Sequence, residues 1–149
     1  MIDISRMPDR FVLCMADEGE CPRRAECLRS RVLSEAQESV RLRRELEVVN
    51  PLNPVLRYAT GECTQFKSCE PVTYARGMSR LFDHVERGVY RVVRQEVEGC
   101  FSCRSYFFRA KRGERLITPA EQEAIAAVFR RHGIGEAPCY DSYVTDYEW

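Results

Sequence analysis

Three cysteines, Cys14, Cys21 and Cys27, stand at C-x6-C-x5-C, and a further pair, Cys63 and Cys69, follows an Asn-Pro turn. A fold in which these thiols meet must bring an N-terminal loop, the start of a helix and a segment well downstream to one point. Four thiolates satisfy a tetrahedral Zn²⁺, which has no directional d-electron preference and so accepts ligands from irregular loops. The spacings are longer than those of a C-x2–4-C knuckle. The same donors also hold an iron–sulfur cluster, and buried cysteines behave as small apolar groups when no metal is involved. The expectation is a structural Zn²⁺ on Cys14, Cys21, Cys27 and either Cys63 or Cys69, with an iron–sulfur cluster or plain buried thiols as the alternatives.

Reduced thiols are a condition of that reading. The apolar run Phe11-Val12-Leu13-Cys14-Met15-Ala16 is far short of the ~20 residues of a membrane span and has neither the charged flank nor the cleavage site of a signal peptide. A cytoplasmic protein with no membrane partner is expected, and disulfides are rare in that compartment. Twenty-three Lys+Arg balance 23 Asp+Glu, so no whole-molecule field draws the chain to nucleic acid, and an electrostatic partner has to be met by a local patch. Residues 1–75 carry 11 positive and 12 negative side chains, residues 76–132 carry 12 and 7, and residues 133–149 carry none and 4. The middle is therefore basic and the aromatic tail acidic.

No repeat, low-complexity stretch or Gly/Ser linker divides the chain. The expected organisation is one domain over 1–149, with a Cys-rich metal lobe at 1–70 and a helical subdomain at 71–149. The fold class expected is mostly α with a short β element, the irregular N-terminal lobe packed on the helical half. A first helix is predicted from Pro22 to about Glu35, with Ala25, Leu28 and Val32 at helical spacing. Leu46-Glu47-Val48-Val49 ahead of the proline-punctuated turn at 50–54 reads as a strand. Pro71 is predicted to open a second helix whose stripe is Tyr74, Met78, Leu81, Phe82 and Val85. A third, over about 87–97, would bury Val89, Val92, Val93 and Val97 and end on a left-handed Gly99. Thr118-Pro119-Ala120-Glu121 has the form of a capping box, and the helix it starts would bury Ile125, Val128 and Phe129 and stop at Gly133. Those three side chains are expected to pack on the Pro71 helix.

Residues 102–113 admit two readings. As a helix capped by Ser102, Cys103, Tyr106, Phe107 and Ala110 share one face and Arg104, Arg109 and Arg112 fall outside it; the alternative is a hairpin across Arg112-Gly113. Between 104 and 115 five basic residues meet only Glu114, a net four positive charges interleaved with Tyr106, Phe107 and Phe108. A short helix with an Arg-rich outer face suits the major groove, so Arg104, Arg109 and Arg112 are the candidate nucleic-acid contacts and double-stranded DNA a candidate partner. Residues 104–132 resemble the end of the recognition helix and the next helix of repressor-type helix-turn-helix domains. An ordinary charged face that meets another protein is the competing reading.

Cys100-Phe101-Ser102-Cys103 has redox C-x-x-C spacing, but no βαβ pattern surrounds it, and two cysteines packing near a helix start is the simpler account. His84 and His132 suit capping or solvated roles. No H-E-x-x-H, G-x-S-x-G, P-loop or G-x-G-x-x-G occurs, so neither an enzyme nor a small-molecule substrate is indicated.

As a whole the chain resembles an uncharacterised bacterial family of unknown function: cysteine-containing, about 150 residues long, and associated with anaerobic gut bacteria. The likeness is carried by Cys14, Cys21-Pro22, Ala25-Glu26-Cys27-Leu28-Arg29, Val49-Asn50-Pro51, Cys63-Thr64-Gln65-Phe66, the 77–83 segment, Arg112-Gly113-Glu114-Arg115, the capping box and the tail through Tyr147-Glu148-Trp149. Within that resemblance Cys14, Cys21, Cys27 and Cys63 match the family's cysteines, which implies Cys63 and not Cys69 as the fourth ligand. The resemblance implies no activity. The expected role is that of a zinc-stabilised cytoplasmic protein with a helix-turn-helix-like C-terminal half, a DNA-binding accessory regulator, or else a non-enzymatic protein-interaction module.

Overall fold

The computed structural model describes residues 2–17, 19–35, 48–49 and 63–149. They fall into two compact units, one of Met1–Pro71 with Tyr147–Trp149 and one of Val72–Asp146. The architecture corrects the expectation of a mostly α chain, because helices share the fold with a three-stranded antiparallel sheet and a parallel strand pair.

In the first unit, strand β1 (Leu13–Cys14) pairs in parallel with β2 (Val48–Val49), Leu13 opposite Val48 and Cys14 opposite Val49. The predicted strand at 46–49 is thus present at its described end, while its partner β1 arises from the apolar run at 11–16; the turn at 50–54 lies outside the described residues. The helix predicted from Pro22 is interrupted. Arg24–Glu26 form one 3-10 turn, Cys27 is extended at φ −94° and ψ 119°, and α1 runs only over Leu28–Glu35. The interruption is paired rather than strained: Leu28 N–H donates to the Lys67 carbonyl at 2.7 Å and Cys69 N–H to the Glu26 carbonyl at 3.0 Å, with Cys27 bridged to Ser68. Ala25 consequently lies in solvent, whereas Leu28 and Val32 are buried with Ile2, Met7, Phe11 and Leu13. Trp149 sets its ring edge against Phe11, 5.3 Å between centroids at 89°. The tail is thus used inside the fold.

In the second unit, β3 (Val72–Arg76) lies between β4 (Leu116–Ile117) and β5 (Ser142–Asp146), antiparallel to both. The helix predicted from Pro71 is therefore wrong. Val72, Thr73 and Tyr74 are β-branched or aromatic and prefer a pleated strand, and the strand ends at Gly77, whose φ is +76°. The helical spacing of Met78, Leu81 and Val85 has another origin: the segment winds through single turns, Asp83 N–H to Arg80 and Val85 N–H to Phe82, and three-residue turns return side chains to one side much as a helix does. Met78, Leu81 and Val85 are buried there with Ile125, Val128 and Phe129, while Ala75, not Tyr74, is the buried residue of β3.

Helix α2 spans Tyr90–Gly99 and buries Val93 and Val97 but leaves Val92 half exposed. Gly99 is its last residue and does not take positive φ, since the helix is capped by Cys100 at φ −70°. The 102–113 segment is helical, α3 spanning Arg104–Lys111 with Cys103 rather than Ser102 at the N-cap. Phe107 and Ala110 are buried; Cys103 and Tyr106 are exposed. Helix α4, Pro119–Arg131, carries the full capping box, with Glu121 N–H donating to Thr118 Oγ1 at 3.2 Å and Thr118 N–H to Glu121 Oε2 at 2.9 Å. It stops, as expected, at Gly133. Among the described residues no helix is long and apolar enough to cross a membrane.

Candidate metal centre

Each of the four cysteines expected to ligate is placed by a separate local device. In β1, side chains alternate across the strand, so Leu13 enters the core with Leu28 while Cys14 turns the other way toward Ala16 and Cys21. Cys21 ends a tight turn in which Asp17 and Glu20 bond reciprocally, Glu20 N–H to Asp17 Oδ1 at 2.9 Å and Asp17 N–H to Glu20 Oε2 at 3.2 Å; the Cys21 N–H then donates to the Asp17 carbonyl at 3.1 Å. Cys27 is the extended residue between the 3-10 turn and α1. Cys63 opens a turn closed by Phe66 N–H at 3.1 Å, and the Phe66 ring lies under the Arg23 guanidinium, 3.4 Å from its centroid.

These devices bring Cys14, Cys21, Cys27 and Cys63 to the wall of one cavity of about 10 Å³, room for about one water or one ion. Cys69 is not on that wall; it packs against the neighbouring core cluster, the one that contains Leu13 and Leu28. All eight cysteines are free thiols. As the side chains stand, no group of three or more His, Cys, Asp or Glu among the described residues is arranged to hold a metal ion. The donors are gathered without being closed on a point. Burial pushes the Cys21 thiol up from its usual range, and the nearby Cys14, Cys63 and Cys27 add to the shift.

Arg24, Arg29 and the buried Ser30 complete one side of the wall. Arg29 spans three of the cysteine-bearing segments: two residues beyond Cys27, its guanidinium donates to the Val12 carbonyl at 2.5 Å and to the Gln65 carbonyl at 2.8 Å, and it lies 5.1 Å from the Phe11 ring. Arg24 Nε donates to Ser30 Oγ at 3.3 Å. Neither arginine was singled out by sequence reasoning. The available signal was the position of Arg29 beside Leu28, at the edge of the buried stripe of a helix that starts on a cysteine.

The basic segment is exposed but largely committed. Arg104 pairs with Glu98 at 3.3 Å and Arg112 with Glu114 at 2.6 Å, while Arg109 is exposed. Helix α3 is followed by β4, which enters the sheet before α4 begins, so the element order is not that of a helix-turn-helix. Arg115 reaches inward to Glu121 at 2.9 Å and stacks 4.8 Å from the Tyr106 ring. Cys100 is half buried with its thiol toward the Glu96 carbonyl, and burial raises it. His132 is the C-cap of α4 and bonds Glu96 at 3.0 Å, and His84 faces Glu136 at 3.1 Å.

A family model matches residues 1–149. The chain belongs to DUF6078, a family of unknown function. No curated protein and no solved structure matches it. Membership of DUF6078 agrees with the resemblance seen in the cysteine runs and capping box; the helix-turn-helix likeness has no counterpart in it.

Proposed function

We propose that Cys14, Cys21, Cys27 and Cys63 take up one Zn²⁺ and that the chain is a non-enzymatic module whose N-terminal unit is held folded by that ion. The observation that carries this reading is the placement of four thiols, from four separately built segments, on one cavity of about 10 Å³. The donor set is all sulfur, which suits zinc, and a space for one ion favours a single metal over a multi-atom cluster. Four thiolates around one Zn²⁺ leave two negative charges, and Arg24 and Arg29, which line the same cavity, supply two positive ones nearby. Their role is that of the outer partners which orient and neutralise a metal site.

With Glu98 and Glu114 already occupying Arg104 and Arg112, a DNA-contacting role for Arg104, Arg109 and Arg112 is not part of the proposal. The test is thiol alkylation followed by intact mass. Exposed Cys103 and Cys139 should label first, and Cys14, Cys21, Cys27 and Cys63 should stay protected as a set until a chelator is added. Labelling of those four that is indifferent to chelator would contradict the proposal.

A further inference from the structure

We infer that the outer face of α2 and the start of α3 form a binding site for a dianionic phosphate group, held by Arg91 and Arg94 with the Arg104–Glu98 pair at its edge. Arg91, Arg94 and Arg104 line an open cleft of about 220 Å³ together with Tyr90, Gln95 and Glu98. Arg91 and Arg94 are one helical turn apart, so their side chains rise on the same face. Arg94 is half buried, and among the described residues its guanidinium has no hydrogen-bond or ion-pair partner. Its Nε is enclosed by the protein, so an anion would meet the outer end of the group. An unpartnered, partly desolvated guanidinium is a costly arrangement that such an anion relieves. Among the described residues Arg91 makes no ion pair either. The one carboxylate of the cleft, Glu98, is taken by Arg104 at 3.3 Å. Three guanidiniums less that carboxylate leave two positive charges, matching a phosphate dianion rather than a carboxylate or a diester.

The chemistry of the donors agrees with the charge. Guanidinium presents a planar fork that binds two oxygens at once, and a phosphate monoester offers three equivalent oxygens, enough for the two unpaired forks of Arg91 and Arg94. Tyr90 and Gln95 also line the cleft and are residues with uncharged donor groups. The site lies wholly within the Val72–Asp146 unit and does not depend on the cysteine cluster.

The test is an NMR titration of the arginine Nε–H signals with inorganic phosphate, phenyl phosphate and dimethyl phosphate, on wild type and on Arg91→Gln, Arg94→Gln and Arg109→Gln. The expected result is saturable shifts of Arg91 and Arg94 with phosphate and phenyl phosphate below about 20 mM. Affinity should fall about tenfold or more in Arg91→Gln and Arg94→Gln and stay unchanged in Arg109→Gln, which lies outside the cleft. Saturation with inorganic phosphate alone would assign the free ion, and with both, a phosphorylated small molecule. Equal binding of dimethyl phosphate, shifts that do not saturate, or wild-type affinity in the exposed-site variant Arg91→Gln would overturn the inference.

Discussion

Arg29 and Gln65 are joined by a guanidinium-to-carbonyl hydrogen bond of 2.8 Å across 36 positions of sequence. The same guanidinium holds the Val12 carbonyl, so one side chain fixes the approaches to Cys14 and Cys63 from the helix that follows Cys27. A hydrogen bond from a charged donor contributes about 1.5–3 kcal/mol. Arg29→Ala should therefore destabilise the N-terminal unit by about 2–4 kcal/mol, read by denaturant unfolding, and should weaken metal retention at the same time. Arg29→Lys should recover little of this, because an ammonium cannot present the planar fork that reaches both carbonyls. Full rescue by lysine would show that charge alone matters at this position.

Gly77 should tolerate no side chain. Its φ of +76° is itself unfavourable for an L residue, and a Cβ there would lie 2.1 Å from Asp141 Oδ2. Asp141 cannot yield cheaply, since its Oδ1 accepts from Ser79 N–H at 3.1 Å and its own backbone N–H donates to the Gly77 carbonyl at 3.2 Å. Gly77→Ala should cost at least the ~1–2 kcal/mol of the left-handed backbone, and thermal unfolding checks it. Adding Asp141→Ala should return part of the loss by removing the clash.

How much of this was legible in the sequence varied with the range of the interaction responsible. The Thr118 box and Gly133 are local chemistry, and both ends of α4 follow from them. Cys14, Cys21 and Cys27 were legible as a group through their spacing, whereas the preference for Cys63 over Cys69 came from the family resemblance; the devices that gather them, the Asp17–Glu20 turn and the break at Cys27, depend on interactions that spacing does not report. That break shows why Pro22 misled: a proline suits a first helical turn, but the 67–69 segment competes for the backbone of Glu26 and Leu28 and wins two hydrogen bonds. Strand β3 was hidden by a spacing that successive turns imitate, and its five-residue partner β5 lies 66 positions away from Arg76 at their last pair, Ser142. No local rule reports that pairing.

Acid should loosen the N-terminal unit through Glu35. The Ile2 N–H, at 2.8 Å, and then the Arg31 guanidinium hold its carboxyl below the usual glutamate range. A carboxylate whose pKa is depressed by folding contributes stability that is present above its unfolded pKa and is lost as pH falls through the folded value. Unfolding free energy should decline on the acid side of the glutamate range, and Glu35→Gln should flatten that decline while leaving the slope near neutral pH unchanged. An identical acid limb in Glu35→Gln would remove the contribution assigned to this contact.

The central claim is one zinc ion on four named cysteines, and elemental analysis of protein purified without air measures it directly. The account predicts one zinc per chain in the wild type and in Cys69→Ser. It predicts loss of zinc, together with a lowered melting temperature, in Cys14→Ser, Cys21→Ser, Cys27→Ser and Cys63→Ser, because binding energy in a small metal lobe is folding energy. A wild-type chain that carries no metal, or iron in place of zinc, would contradict it, as would loss of zinc in Cys69→Ser with retention in Cys63→Ser.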